Sequence, residues 1–279
     1  MKFMFSSSVA MLTLVFGVSG CLEIPTTELE MTTSGPKLLD RCQRIPIQDR
    51  KGLQGGLAST FTLLNWNIQK TIQPGWQAML EQQAVKADVV LLQESVDSAA
   101  MQSWLQLHEH AWQQVIAFRY EGQGAGVMTA SQQADVYSCS ARFPEPTTRI
   151  PKSTLVSLFP LQGSRYPLLI VNVHAVNVEL GMASYRDQIK RIGQWVRKYP
   201  GPVVVAGDFN TWSERRMSLL QQQMSRLGMS AVAWQPDQRS LVRNLPLDHI
   251  FYRGLKVQSS TVERTTASDH HPMQVTFSL

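Results

Sequence analysis

The sequence predicts an α/β (α+β) protein in which helices cover β-sheets. Two continuous apolar runs, 89–92 and 203–206, are typical of strands that are buried on both faces. Other segments, such as 184–199, carry apolar residues at the spacing of one helix face. Strands outnumber helices but alternate with them, and this pattern is typical of sheets with helices packed on the outside.

The predicted elements follow one another from Phe61 to the C-terminus. The predicted helices are 76–86, 98–112, 184–199 and 213–227. The first helix follows Pro74-Gly75, and the third ends at Pro200-Gly201, because these residues favour turns. The predicted strands are 61–68, 89–92, 115–118, 126–129, 153–159, 168–174, 203–206, 247–252, 256–262 and 273–279.

The composition is that of a globular protein with a large core. Of 279 residues, 43% are apolar and 17% are charged, which excludes a disulfide-stapled mini-protein. The 17 Gly and 14 Pro are too few and too scattered for a collagen-like or low-complexity chain. After the first 20 residues, no run of about 18 uncharged apolar residues predicts a membrane helix. The net charge of +5 permits an anionic partner without identifying one.

Residues 1–20 are predicted to be a lipoprotein signal peptide. Lys2 precedes a short apolar run at 9–18, and Val18-Ser19-Gly20-Cys21 resembles a bacterial lipobox. The resemblance implies cleavage before Cys21 and acylation of that cysteine, while Leu22 in the next position points to the outer membrane. We therefore expect an exported protein, anchored by lipid to the bacterial outer membrane and facing the periplasm. An ordinary secretory signal with an incidental cysteine is the alternative.

The rest of the chain is predicted to comprise a tether and one folded domain. Residues 21–58 hold the acylated cysteine and a Pro-, Thr- and Gly-containing segment without sustained periodicity. Residues 59–279 form the domain. With Cys21 acylated, Cys42 and Cys139 remain, and an oxidising compartment would allow them to form a disulfide. Two free thiols are the alternative.

Acids, amides and histidines stand where the predicted strands begin or end. The residues concerned are Asn67, Glu94, His174, Asp208, Asn210, Asp248, Asp269 and His270. Each alone is compatible with a turn, a helix cap or a buried polar residue. Together they are expected to converge, because ligands bind beyond the strand ends of open sheets.

The chemistry of this set favours metal-assisted attack on a phosphate. Carboxylate and amide oxygens suit Mg²⁺ or Mn²⁺, and no Cys/His cluster has the spacing of a zinc site. The sequence lacks both the G-x-S-x-G pattern of serine hydrolases and the P-loop of many nucleotide hydrolases. Two histidines with separate carboxylates can activate water, neutralise developing charge and protonate a leaving group.

The ordered motifs NWN, LLQES, GVMT, VNVHAVN, AGDFN, LDHIFYRG and SDHHP resemble those of the endonuclease/exonuclease/phosphatase superfamily. Within it, VNVHAVN, GDFNTWSERRM and LDHIFYRGL are most similar to a YafD-like branch. The resemblance runs from residue 61 to residue 279. It implies a four-layer α/β/β/α sandwich with two packed mixed β-sheets, and a phosphoesterase that depends on Mg²⁺ (or Mn²⁺).

The resemblance also implies a metal site. Asn67 and Glu94 would hold the divalent cation, with Asp269 contributing directly or through water. Many nucleases of the superfamily carry an acid two residues after the first-strand asparagine, and here that position is Gln69. A neutral amide is a weaker metal ligand, so Glu94 could be the main one.

Catalytic roles follow from the same resemblance. Asp208 would orient or deprotonate water, and Asn210 would bind the phosphate or the metal shell. Asp248 would fix the tautomer and charge of His270, and His174 would bind the phosphate or protonate the leaving group. Whether Asp208 or His270 is the base is left open, and no role is assigned to the neighbouring histidines at 249 and 271.

The expected substrate is a phosphodiester or phosphomonoester, in a nucleic acid or a lipid head group. A phosphodiesterase or nuclease is the first hypothesis, and a phosphatase of envelope phospholipids or small phosphoesters is the alternative. A catalytically weak outer-membrane lipoprotein that acts as a binding module is a third, supported only by Gln69. We expect a monomer that contacts the membrane through its N-terminal lipid anchor.

Overall fold

The computed structural model describes four short N-terminal stretches and one long continuous segment. The described residues are 22–25, 29–32, 35–38, 41–47 and 55–279. The predicted signal peptide and the acylation site at Cys21 lie outside them. No helix within the described part of the chain is long and apolar enough to cross a bilayer.

Strands make up most of the regular structure. They are β1 (Leu22–Glu23), β2 (Leu29–Thr32), β3 (Gly35–Leu38), β4 (Thr60–Asn67), β5 (Val89–Val96), β6 (Ala111–Tyr120), β7 (Gln123–Ser131), β8 (Tyr137–Phe143), β9 (Lys152–Phe159), β10 (Leu168–His174), β11 (Val203–Asp208), β12 (Ser230–Ala231), β13 (Leu241–Val242), β14 (Leu245–Pro246), β15 (Asp248–Arg253), β16 (Lys256–Val262) and β17 (Met273–Ser278). The helices are α1 (Trp76–Ala84), α2 (Ala99–Leu107), α3 (Ala183–Arg197) and α4 (Glu214–Arg226).

Two mixed sheets form the centre of the fold. In the described residues, the first sheet has the order β16-β17-β4-β5-β7-β6-β2-β3, and β1 also pairs with β6. The second sheet has the order β12-β15-β11-β10-β9-β8. β4 runs parallel to β5, and β10 runs parallel to β11, whereas the other pairs in the two sheets are antiparallel.

Apolar clusters hold the layers together and confirm the predicted four-layer sandwich. Residues such as Leu63 of the first sheet and Ile170 of the second belong to one buried cluster between the sheets. Leu80 of α1 packs in a cluster on the outer side of the first sheet, which also includes Trp66. Ile192 of α3 packs in the corresponding cluster of the second sheet. Burial of these apolar faces is the main stabilising contribution.

The strand register brings the polar strand ends to one edge of the sandwich. In the second sheet, His174 of β10 lies opposite Asp208 of β11, and Asp208 lies opposite Asp248 of β15. At Gly207 the backbone has φ +145°, and a Cβ would lie 1.9 Å from the Val173 carbonyl oxygen. Only glycine therefore allows β10 and β11 to approach here. Because the residues predicted to be catalytic stand at this edge, where β4, β5, β10 and β11 end, we call it the catalytic edge.

The prediction for residues 98–112 was wrong at its C-terminal end. The helix ends at Leu107, and Glu109 adopts φ +52°, which helical backbone does not permit. Strand β6 then begins at Ala111. β8 was not predicted, because its sequence YSCSARF has no continuous apolar run. It forms an edge of the second sheet, where partial exposure tolerates polar residues.

Part of the predicted tether packs on the domain. β1 pairs with the end of β6, with Leu22 opposite Tyr120, and β2 pairs with the middle of the same strand. Further along, the Cys42 backbone N–H donates to the Ser140 carbonyl at 2.9 Å. The segment therefore reaches the edges of both sheets, and a disulfide joins Cys42 to Cys139.

The disulfide is expected to stabilise the domain by restricting the unfolded chain. Because 97 residues separate the two cysteines, loop-closure entropy predicts a loss of about 5 kcal/mol in the free energy of unfolding for the double variant Cys42→Ala/Cys139→Ala. Guanidinium unfolding with and without reductant measures this loss. Reductant should not change the free energy of unfolding of the double variant. If full reduction left the free energy of unfolding of the parent protein unchanged, the prediction would be contradicted.

Candidate active site

The catalytic edge joins the two sheets through their polar side chains. Asn67, at the end of β4, donates from Nδ2 to Asp208 Oδ2 across the sandwich at 3.0 Å. His174 Nε2 lies 3.7 Å from the same oxygen and 3.7 Å from Glu94 Oε1. The structure thus brings together four of the predicted residues from four strands.

A buried carboxylate–imidazole pair completes this group. Asp248 Oδ2 accepts a hydrogen bond from His270 Nδ1 at 2.7 Å, and His270 Nε2 lies 3.9 Å from Asp208 Oδ2. Trp66 donates to the His270 carbonyl at 2.9 Å, and Ser268 Oγ accepts from the His270 backbone N–H at 3.1 Å. These bonds fix both the backbone and the ring of His270.

The two carboxylates keep His270 protonated. Burial alone would lower the pKa of His270, but Asp248 and Asp208 outweigh it and raise that pKa from 6.5 to about 10. The ring is therefore an imidazolium at neutral pH, with Nε2 facing Asp208.

At Asp208, in contrast to His270, burial outweighs the neighbouring charges in setting the pKa. Burial raises its pKa to about 6, and the nearby Asp248 carboxylate adds to this, although His270 and the Asn210 N–H act against it. The Asn210 N–H donates to Asp208 Oδ1 at 2.9 Å. A carboxyl group that titrates close to neutral pH can exchange a proton with water or substrate.

His174 is held neutral. Burial and the nearby Lys152 ammonium lower its pKa well below 6.5, and Glu94 opposes them without prevailing. Lys152 Nζ donates to His174 Nε2 at 3.1 Å, so this nitrogen is an acceptor. Sequence reasoning missed Lys152 because it began the strand one residue late, at 153. The available signal was that Lys152 stands at the start of a strand: if this strand runs antiparallel to the strand of His174, its first residue lies beside His174.

Glu94 adds an ionised carboxylate on the β5 side of the site. Burial would raise its pKa, but His174 and the ammonium groups of Lys70 and Lys152 together lower that pKa to about 2. Its backbone has φ +52°, at an irregularity in the pairing of β5 with β7. Such a conformation costs about 1–3 kcal/mol in a residue with a side chain and is concentrated at functional sites.

The turn after β4 supplies Lys70, the second lysine of the site that the sequence did not predict. Gln69, Lys70 and Thr71 all have positive φ, and the Gln69 N–H donates to Asn67 Oδ1 at 3.0 Å. This turn directs the Lys70 ammonium to an ion pair with Glu94. Gln69 Oε1 is buried and has no hydrogen-bond partner in the described part of the chain.

Asn210 is held by its main chain and its side chain. It has φ +49°, and its Nδ2 donates to the Ala175 carbonyl at 2.9 Å. Its own carbonyl accepts from Arg216 Nη1 at 3.1 Å, and the guanidinium of this buried arginine stacks on the Tyr185 and Trp212 rings. Arg216 therefore holds the backbone of Asn210 in place. The sequence did not predict this role, because Arg216 lies within a predicted helix and not at a strand end.

Asp269, a predicted metal ligand, and His249, to which no role was assigned, lie around this centre. Asp269 is 60% exposed, with Oδ1 4.0 Å from His270 Nε2, and occupies the outer side of the site. His249 hydrogen-bonds to Thr211 at 2.8 Å and to Arg239 at 3.2 Å, and burial lowers its pKa to about 3. It is a neutral residue behind the site.

The donor set fits a hard divalent ion. The carboxylates of Asp208 and Asp248 belong to a cluster whose ligand atoms lie within 4.8 Å of one another, and the third member, His270, is protonated and therefore cannot bind a cation itself. Asp248 Oδ1 is buried without a hydrogen-bond partner among the described residues, and Glu94 is ionised beside a cation. Oxygen donors of this kind suit magnesium or manganese.

Comparison with known proteins identifies the family. Residues 64–270 match the model of the Endonuclease/Exonuclease/phosphatase family. The chain belongs to this family. Its members are generally phosphoesterases, and the protein is accordingly a hydrolase of this superfamily.

The chain is also similar to curated relatives and to solved structures. A UPF0294 protein of Vibrio vulnificus is 39% identical over 220 residues, which cover 78% of this chain and 77% of the relative. An endonuclease/exonuclease/phosphatase structure from Beutenbergia cavernae has a TM-score of 0.62 at 16% identity, covering 79% of this chain and 72% of that one. D. rerio TDP2, complexed with a single-strand DNA product, has a TM-score of 0.56 at 17% identity, covering 79% and 100%. The two structures support the fold.

The raised pKa of His270 predicts a pH-dependent contribution to stability. Because this pKa is about 10 when folded and 6.5 ordinarily, the contribution is complete below pH 6.5 and is lost as the pH rises through about 10. Denaturant unfolding between pH 6 and pH 10.5, together with NMR titration of the ring, measures it.

Asp248→Asn should remove most of this dependence and lower the pKa of His270, since it removes the largest favourable charge interaction. His271→Gln, at a half-buried neighbouring position, is the matched control. A parent His270 ring that titrates near its ordinary pKa would show the assignment to be wrong.

Proposed function

We propose that the protein is a Mg²⁺- or Mn²⁺-dependent phosphodiesterase of the endonuclease/exonuclease/phosphatase family. The observation that carries the proposal is Asp208, a buried carboxyl group with a pKa of about 6, next to the protonated His270 and the neutral His174. Attack of water on a phosphate requires both a proton acceptor and positive charge, and this arrangement offers both.

In the proposed mechanism, Asp208 is the general base. It accepts a proton from the attacking water, because its pKa of about 6 lies close to neutral pH. As the oxygen of this water bonds to phosphorus, the bond from phosphorus to the ester oxygen breaks, and solvent water protonates the released oxygen. His270 is already protonated, so it is not a base at neutral pH. Its imidazolium stabilises the negative charge that develops on the phosphate oxygens, and Asp248 holds it in place.

Other residues would bind the phosphate and the metal ion. Lys152 lies beside His174, and its ammonium can neutralise a phosphate oxygen. Glu94 would hold the ion together with Asn67, and Asp269 could complete the coordination through water. The ion, when bound, supplies Lewis-acid stabilisation of the phosphate.

The proposal extends to the branch of the family, the cellular location and the substrate class. VNVHAVN and LDHIFYRGL support membership of the YafD-like branch. The lipobox-like sequence supports export and anchoring to the outer membrane through an acylated Cys21, with the domain facing the periplasm. TDP2, which shares the fold, was solved with single-strand DNA, and this favours a phosphodiester substrate.

Replacement of the base or of the charged histidine is expected to abolish most activity. Asp208→Asn and His270→Ala should each lower kcat at least about 10²-fold on bis(p-nitrophenyl) phosphate. In the parent enzyme kcat/KM should rise with pH through about 6, as Asp208 loses its proton. His271→Ala should stay close to the parent. Unchanged rates in either active-site variant would refute the assigned roles.

Metal dependence is expected to act through Glu94. EDTA should eliminate hydrolysis, and Mg²⁺ or Mn²⁺ should restore it. Glu94→Gln should raise the Mn²⁺ concentration for half-maximal rate at least about tenfold, and should reduce the Mn²⁺-induced increase in Tm, because a neutral amide binds hard ions weakly. Glu81→Gln, an exposed carboxylate on α1, is the control. Full activity in EDTA would exclude the metal-dependent mechanism.

A further inference from the structure

Exposed apolar side chains are concentrated at the catalytic edge. In the described part of the chain, 13 large apolar side chains are exposed. Eight of them lie on the strands and loops of this edge, and we call these eight the apolar rim. They are Leu22, Ile24, Ile72, Tyr120, Val178, Leu180, Leu241 and Val242. An exposed apolar patch beside a site usually marks an interaction surface.

Two loops place apolar residues next to the active site. Leu180, 99% exposed, belongs to the loop that follows His174, and this loop is fixed because the Val178 N–H donates to Glu145 at 2.9 Å. Ile72, 64% exposed, follows the turn that carries Lys70. Because backbone hydrogen bonds order both loops, Leu180 and Ile72 are kept exposed to solvent.

The hairpin of β13 and β14 continues the rim. It exposes Leu241 and Val242 immediately before β15, which begins at Asp248. The Arg243 guanidinium lies 5.9 Å from the Trp212 ring, and Trp212 Nε1 donates to Asn177 Oδ1 at 3.0 Å. The hairpin and the loop of Leu180 are thus joined through Trp212.

The described chain enters the fold at the same edge. Leu22 pairs with Tyr120 at the end of β6, beside the β6–β7 turn. Since β7 is antiparallel to β5, this turn lies beyond the strand end that carries Glu94. Leu22 is three strands away from β5 in the sheet, roughly 14 Å at the usual strand spacing. The predicted acylation site, Cys21, is the preceding residue.

We propose that the apolar rim docks on a phospholipid membrane and presents the active site to phosphate esters in lipid head groups. The substrate class rests on the proposed function, whereas the docking does not. A lipid attached at residue 21 would hold this edge, and not the opposite one, against the bilayer. Aliphatic side chains enter the interfacial region of a membrane, and burial of each contributes to binding.

Charged side chains of both signs surround the same edge. Lys70, Arg149 and Arg243 are exposed there, together with the carboxylates of Asp269, Glu23 and Glu121. Nucleic acids would favour exposed aromatic rings for base stacking. Seven of the eight rim residues are aliphatic, and this favours lipid as the partner.

The test measures vesicle binding without the lipid anchor. Residues 21–279 with Cys21→Ser contain the two described sheets and their apolar clusters, and correspond to the chain after the predicted cleavage. Co-sedimentation with phosphatidylethanolamine/phosphatidylglycerol vesicles gives the partition coefficient. Leu180→Asp and Leu241→Asp should each reduce it at least about tenfold, because each removes an inserted side chain and adds a repelled charge.

Matched controls come from the opposite edge of the sandwich. Val85 and Leu107 are 72% and 77% exposed at the ends of α1 and α2. Val85→Asp and Leu107→Asp should bind vesicles within about twofold of the parent, and Tm should show that all four variants are folded. Absence of parent binding, or equal losses in rim and control variants, would overturn the proposal. The proposal would also be overturned if Leu180→Asp and Leu241→Asp weakened binding of a single-stranded oligonucleotide but left vesicle binding unchanged.

Activity assays on the parent separate the two proposals. Rim-dependent vesicle binding, without hydrolysis of either bis(p-nitrophenyl) phosphate or vesicle lipid, would refute the proposed function and leave docking intact. Hydrolysis of the soluble ester, with equal vesicle binding by rim and control variants, would refute docking alone. Release of phosphorylated head groups from vesicles by the parent would support both.

Discussion

The hydrogen bond from Asn67 to Asp208 connects the two sheets at the centre of the candidate active site. A neighbouring buried contact, from Gln93 Nε2 to Asn172 Oδ1 at 2.7 Å, joins the same sheets one step deeper. Both bonds require the strands of one sheet to keep a fixed position over those of the other. The apolar cluster between the sheets provides that constraint. The geometry of the active site therefore depends on the packing of the whole sandwich.

Burial then determines the protonation state of each group. Asp208, His174 and His270 are all buried within a few ångströms of one another, yet their pKa values are shifted in different ways. Desolvation prevails at Asp208 and His174, whereas two carboxylates prevail over desolvation at His270. Neighbouring titratable groups that are shifted apart in this way can divide acid and base roles between them.

The N-terminal segment has more than the role of a spacer. It adds strands to the first sheet, contacts β8 of the second through Cys42, and enters the fold at the catalytic edge. Trp195 of α3 donates to the Cys42 carbonyl at 3.1 Å, which ties this segment to the helical layer as well. Because the N-terminal segment joins the fold at the catalytic edge, an anchor attached to this segment would lie on the same side of the domain as the candidate active site.

The sequence by itself determined the strands with continuous apolar runs, the four helices and the chemical types at the strand ends. Strand and helix periodicity are local properties, so most element positions could be predicted, and the family motifs supplied the layer order. The sequence could not place Lys70, Lys152 or Arg216 in the site, because their positions depend on a left-handed turn and on packing between elements distant in sequence. It left the base undecided between Asp208 and His270. Only the tertiary structure provides the burial and charge separations that set their pKa values, since these are properties of the folded environment and not of the residue type.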